Sequence, residues 1–124
     1  MSATAQLLVD QHLSAYCEPD AGKRIEAVRR LWHPGGRLVD PPLESTGHAG
    51  IAEQGGLLLQ QFPGHRFVRH TAVDAHHEFL RYGWQLVSPD GQPVLEGLDL
   101  MELDVDGRIC RVIGFFGAQP AASA

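Results

Sequence analysis

The stretch Gly97 to Gly117, GLDLMELDVDGRICRVIGFFG, decides how this chain is read. Two runs rich in aliphatic and aromatic residues flank Asp106-Gly107, a dipeptide that favours a tight turn, so the stretch predicts a hairpin of two long strands. Side chains alternate faces along a strand, which puts Asp99, Met101 and Leu103 on one face and Leu98, Leu100 and Glu102 on the other. Asp99 therefore looks inward, beside Met101. A charged carboxylate among apolar neighbours is costly without a partner, so Asp99 is expected to be paired, protonated or in contact with a ligand.

Working back from the hairpin, His65 to Ala75 and Phe79 to Ser88 are rich in Val, Thr, Phe, Tyr and Trp and read as two more strands, with a turn at His76-His77-Glu78. Pro89-Asp90-Gly91 turns the chain into Pro93 to Val105, which completes a four-stranded antiparallel meander with Arg108 to Phe116. The first half reads as helix. Ala5, Leu8, Val9, Leu13 and Tyr16 recur at helical spacing, with Ser2 or Thr4 as N-cap. A second stripe, Ile25, Val28, Leu31 and Trp32, ends at His33-Pro34-Gly35-Gly36. Arg37 to Asp40 is a brief strand that Pro41-Pro42 stops, and a loop through Ser45-Thr46-Gly47 leads to a third helix, roughly Ala49 to Phe62. The order α-α-β-α-β-β-β-β predicts an α+β domain with three helices on a strongly curved antiparallel sheet and a cavity between the layers. Leu98, Leu100, Ile113 and Phe115 make the opposite face apolar as well, which predicts a homodimer through that outer face.

With 124 residues the chain suits one domain, expected over residues 1–117, with a disordered Ala/Ser-rich tail over residues 118–124. A net charge of -5 and scattered Lys and Arg argue against nucleic-acid binding. No apolar run approaches the roughly 18 residues of a membrane span. The start MSATAQLLVD lacks the regions of a signal peptide and only Cys17 and Cys110 are present, so a cytoplasmic location is expected.

Metal and nucleophile readings are weak. His76 and His77 are adjacent and His65 and His70 differ by an odd number, so neither pair shares a face of a regular strand, and no metal is expected. Ser14 and Cys17 lack an activating signature, and no Gly-rich phosphate loop opens a helix.

Tyr16, Asp40-Pro41 and the run Asp99-Leu100-Met101 through Asp106-Gly107-Arg108-Ile109 resemble ketosteroid isomerase of the NTF2-like (SnoaL-like) superfamily. The resemblance implies an NTF2-like cone without a cofactor, in which Tyr16 and Asp99 donate hydrogen bonds to an oxyanion and Asp40 shuttles a proton. It covers the two ends of the chain. The middle, with Phe62-Pro63-Gly64-His65-Arg66-Phe67, His76-His77 and Arg81-Tyr82-Gly83-Trp84, looks instead like bacterial SnoaL-like proteins without an assigned reaction.

Chemically, abstraction of a proton next to a carbonyl needs a base within reach and donors aimed at the developing enolate oxygen, roles that Asp40 and the Tyr16/Asp99 pair suit. An apolar setting from Met101, Val112 and Phe116 would keep Asp99 neutral. Trp32, Phe62, Trp84, Met101, Val112 and Phe116 are candidates to line a pocket for a small hydrophobic molecule, with Gly114 leaving room for a flat ligand beside Phe116. An ion pair with Arg81 or a bond to His70 would instead ionise Asp99. Each residue also has a plain structural reading: Tyr16 as a bonded core tyrosine, Asp40 as a turn former, Asp99 as half of a buried pair. The expected activity is a proton-transfer isomerase. SnoaL-like cyclase, lyase, dehydratase or hydrolase chemistry, or a non-catalytic small-molecule-binding dimer, are the alternatives.

Overall fold

The computed structural model describes residues 3–123 and contains α1 (Ala3–Tyr16), α2 (Ala21–Leu31), β1 (Trp32–Asp40), β2 (Leu43–Thr46), α3 (Gly47–Gln61), β3 (Arg66–Arg69), β4 (Asp74–His76), β5 (Phe79–Val87), β6 (Pro93–Leu103) and β7 (Ile109–Phe116). Thr4 lies inside α1 and is not its cap, and Ser2 falls outside the described residues. Asp20 caps α2, its Oδ2 accepting from the Lys23 amide at 2.8 Å. One turn on, the buried Arg24 donates to the carbonyls of Ala52 (2.8 Å) and Glu18 (2.7 Å) and so ties α2 to α3.

α2 stops at Leu31, so Trp32, expected in its stripe, opens a strand instead, and the strand expected over Arg37 to Asp40 begins five residues earlier. β1 carries His33-Pro34-Gly35-Gly36 as a bulge, opposite a two-residue step from Ile109 to Arg111 in β7. Gly36 makes this feasible, because a Cβ there would overlap the Trp32 indole. After Pro41-Pro42 a second departure follows: Leu43–Thr46 pairs back on β1 instead of forming a loop. The expected strand over residues 65–75 is split into β3 and β4, both on β5. At the break the Thr71 hydroxyl, rather than a backbone carbonyl, accepts from the Gly83 amide at 2.7 Å.

The sheet order is β2-β1-β7-β6-β5-β3, with β4 also on β5. Every pairing is antiparallel except β1 with β7, which makes the sheet mixed; the long connection between those two strands permits the parallel direction that a tight hairpin forbids. In the β6–β7 hairpin, Asp104 Oδ1 accepts from the amides of Asp106 and Arg108, both at 2.9 Å, and Gly107 takes the left-handed conformation at φ 83°. The three helices cover the inner, concave face of the sheet. Beyond β7, residues 118–123 add no helix or strand.

Strand register sorts the inner face into three rungs. The lowest is apolar: Leu80, Met101, Val112 and Leu38, drawn in turn from β5, β6, β7 and β1 and all buried. It meets Val9, Leu13, Val28, Trp32 and Ile51 from the helical side and forms the core. Two residues along each strand stands the middle rung, Tyr82, Asp99, Gly114 and Asp40. The upper rung is Trp84, Gly97 and Phe116. The register thus lifts one row of polar groups onto an apolar floor.

Candidate functional site

Asp99 occupies the middle of that polar row and is only 5% exposed. Its two oxygens are held by neighbours on β5: the Tyr82 hydroxyl donates to Oδ2 and the Trp84 indole N–H to Oδ1, both at 2.9 Å. Tyr82 stands directly across from Asp99, whereas Trp84 reaches it diagonally over Gly97, where any Cβ would overlap the indole and the Phe115 carbonyl. The expected alternatives for this carboxyl do not hold. Arg81 lies on the outer face and pairs with Asp74 at 2.8 Å, and His70 is exposed on the far side of Gly83.

Asp40 approaches from the opposite side. Its Oδ1 and the Oδ1 of Asp99 both lie within 3.0 Å of the point that a Cβ on Gly114 would occupy. The absent side chain of Gly114 therefore makes room for two carboxyl groups, not for the flat ligand that the sequence suggested. Tyr16 completes the set from α1. Its hydroxyl oxygen accepts a hydrogen bond from Gln54 Nε2 at 3.0 Å, which leaves its own proton free to be donated elsewhere. α3 comes close enough for this because position 55 is glycine; a Cβ there would overlap the Tyr16 carbonyl oxygen.

Tyr16, Asp40 and Asp99 line one internal cavity together with His12, Leu13, Leu58, Phe67, Trp84 and Phe116. Aromatic edges form its wall: Tyr16 to Phe67 at 5.7 Å between ring centroids, Phe67 to Trp84 at 5.2 Å, and Trp84 to Phe116 at 5.5 Å. Its volume is about 20 Å³, room for roughly one water. Of the other pocket residues expected from sequence, Trp32, Met101 and Val112 are packed in the core beneath the polar row, and Phe62 packs against His65. Besides the apolar Leu13, Leu58 and Phe67, three polar contributors were missed. Gln54 and His12 are buried polar residues on α3 and α1, and Tyr82 shares the face of Trp84. Their signal was faint, because a lone buried Gln or His has no spacing partner.

Burial governs the electrostatics. It pushes the Asp99 carboxyl up to about 7, and the charge of Asp40 adds to the rise, while the bonds from Tyr82 and Trp84 pull the other way without prevailing. Burial likewise raises Asp40 to about 6 and the Tyr16 hydroxyl above its ordinary value. His12, only 2% exposed, is lowered to about 4 and is neutral near pH 7. Among the described residues there is no cluster of three or more His, Cys, Asp or Glu side chains placed to hold a metal ion. No described helix is long and apolar enough to cross a membrane.

A carboxyl raised on folding binds its proton more tightly in the native state than in the unfolded chain. Between about pH 4 and 7 the native state thus holds the extra proton, and Asp99 erodes stability as pH rises through that window. His12, lowered on folding, acts in the opposite sense between about pH 4 and 6.5. Comparing parent with Asp99→Asn cancels His12 and isolates the carboxyl. Urea denaturation at pH 5 and pH 8 should show the parent losing about 1–3 kcal/mol more than the variant over that interval. Parallel pH dependence in the two proteins would contradict the raised carboxyl.

No protein-family profile matches the sequence, and no curated protein matches it. Solved structures do match. The chain is 36% identical to a proposed isomerase of the SnoaL-like family from Agrobacterium tumefaciens, over 94% of this chain and 100% of that one, with a TM-score of 0.89. It superposes with a TM-score of 0.67 on a proposed SnoaL-like polyketide cyclase from Jannaschia sp., at 19% identity over 94% of this chain and 89% of that one. An NTF2-like protein of unknown function from an Exiguobacterium species gives a TM-score of 0.69 at 14% identity, over 90% of this chain and 99% of that one. The last two speak for the fold alone. Identity of 36% spread over nearly the whole of both chains carries more, and with the NTF2-like architecture described above it shows that this chain belongs to the SnoaL-like family.

Proposed function

We propose that this protein is a cofactor-independent isomerase that moves a proton through an enolate in a small carbonyl substrate. The observation that carries the reading is the pair of inward carboxyls, Asp40 and Asp99, facing one another over Gly114 in a buried cavity that also receives the Tyr16 hydroxyl. Their environments suit different tasks. Asp40 has no hydrogen-bond donor among the described residues and, raised only to about 6, is charged at neutral pH, as a base must be. Asp99, deeper and raised to about 7, retains a proton that it can donate.

In this scheme Asp40 takes the proton from the carbon next to the carbonyl; the electron pair of the broken C–H bond forms the carbon–carbon double bond of the enolate, and the π pair of the carbonyl moves onto its oxygen. The neutral Asp99 and the Tyr16 hydroxyl donate hydrogen bonds to that oxygen as its charge develops. Gln54 supports the step by donating to the Tyr16 oxygen, which fixes the direction in which the Tyr16 proton points. Asp40 then returns the proton to another carbon of the enolate. A ring closure in this cavity would use the same base and donors, with the enolate carbon attacking a second carbonyl carbon.

A cavity of about 20 Å³ admits no substrate without a shift of its wall. Phe116, 45% exposed at the end of β7 and touching Trp84 only edge-on, is the side chain with most freedom to swing aside. The aromatic wall of Tyr16, Phe67, Trp84 and Phe116 also favours a second reading, a non-catalytic pocket for a small apolar molecule that enters by the same shift.

The first reading requires Asp40 charged and Asp99 protonated at once, so kcat/KM for a β,γ-unsaturated ketone should follow a bell centred between about pH 6 and 7. Asp40→Asn should lower kcat about 10²–10⁴-fold, and Asp99→Asn should remove the alkaline limb while keeping part of the rate. Tight binding of a phenol with no turnover of any ketone in a panel that includes a Δ5-3-ketosteroid would favour the binding reading.

We also propose that the outer sheet face meets a second copy of the chain, because Phe79, Leu98, Leu100 and Phe115 stand exposed together there. Sedimentation should give a dimer for the parent and a monomer for Leu100→Asp. A monomeric parent at micromolar concentration would contradict this.

A further inference from the structure

The acid–base scheme leaves one polar group of the cavity without a task. His12 lies one helical turn before Tyr16 on α1, so the two side chains share a face and project to the same place. Their rings are stacked at 6.2 Å between centroids with 23° between planes, and the Trp32 indole meets the imidazole in an edge-to-face arrangement at 5.6 Å. The imidazole lines the same cavity as Tyr16, Asp40 and Asp99, yet it makes no hydrogen bond to any of the described residues. Its situation differs from that of its neighbours. Asp99 receives two bonds and Tyr16 receives one. Asp40 is unbonded as well, but a base awaiting a C–H proton is expected to be.

A polar ring only 2% exposed is costly to leave unpaired, so its partner is sought in what the cavity takes up. A neutral imidazole offers one N–H donor and one acceptor nitrogen, and therefore matches either a carbonyl or a hydroxyl oxygen. A ligand whose first oxygen sits at Tyr16 and Asp99 would have His12 available to a second oxygen.

We propose that His12 is a second polar anchor of this site, and that the substrate accordingly carries a second carbonyl or hydroxyl oxygen beside the reacting carbonyl rather than being a ketone whose remainder is hydrocarbon. The inference rests on the enolate reading above and deepens it. His12 touches substrate through a hydrogen bond and sets specificity; it takes no proton from the reacting carbon. A hydrocarbon ketone would leave it unpaired in the occupied site and bind less well for that reason.

Phenol serves as the enolate mimic with one oxygen, and the tighter binder of resorcinol and hydroquinone as the diphenol with two. Titration followed by tryptophan fluorescence and by calorimetry should show the parent binding this diphenol about tenfold more tightly than phenol, the value of one added hydrogen bond. His12→Phe, which keeps the stacked ring and removes the nitrogens, should bind the two alike while holding phenol within about threefold of the parent; His12→Gln should restore part of the preference. His12→Leu takes the place of His12→Phe if the latter does not fold. Equal affinities in the parent, or a diphenol preference that survives loss of the imidazole, would overturn the assignment and leave His12 a packing residue against Tyr16 and Trp32. Failure of the parent to bind phenol at all would overturn the enolate reading first, and this inference with it.

Discussion

The structure turns on how Asp99 is kept in a dry interior. A buried carboxyl needs hydrogen bonds, a counter-charge or a proton, and no cation reaches this one. Tyr82 and Trp84 supply one neutral donor to each oxygen, enough to fix the group in place and too little to hold it charged against the penalty of burial. Replacement of either donor by a cation would lock Asp99 in its charged form and close off the acid role. The second carboxyl, Asp40, sharpens the same effect, since two negative charges meeting over one glycine oppose each other.

Much of the fold can be understood as positioning this pair. The parallel pairing of β1 on β7 brings Asp40 to the level of Gly114, and the antiparallel pairing of β7 on β6 brings Asp99 there from the other side. Three glycines mark the points of close approach: Gly114 between the carboxyls, Gly97 under the Trp84 indole, and Gly55 where α3 meets the end of α1. Below the polar row, Leu80, Met101, Val112 and Leu38 exclude water and provide the low-dielectric floor that raises both acids. Tyr16, held by Gln54, closes the row from the helical layer.

The inward direction of Asp99 was legible in the sequence because strand alternation leaves only two faces, and Met101 and Leu103 identify which is buried. The three helices and the final hairpin were legible for the same reason: long periodic patterns ended by Pro and Gly. Short strands were not. Leu43–Thr46 is four residues with a single aliphatic side chain, and the strand in Trp32–Asp40 is hidden behind a bulge rich in Gly and Pro. Which strands neighbour one another was also out of reach, so the donors of Asp99 were sought at Arg81 and His70 when cross-strand register supplies Tyr82 and Trp84. The size of the hollow was a further blind point. Trp32, Met101 and Val112, read as a pocket lining, are the packed core beneath it, because apolar alternation cannot distinguish a cavity wall from a filled interior.

The central claim is that Asp40 and Asp99 are both held above the ordinary carboxylate range, with Asp99 the higher of the two. Carbon-13 NMR of the aspartate carboxyl carbons, assigned by Asp40→Asn and Asp99→Asn and followed from pH 3 to 9, reads this without need of a substrate. The account predicts midpoints near 7 for Asp99 and near 6 for Asp40, with the Asp99 midpoint falling when Asp40 is replaced. Midpoints for both at or below about 4, the range of an exposed aspartate, would contradict it.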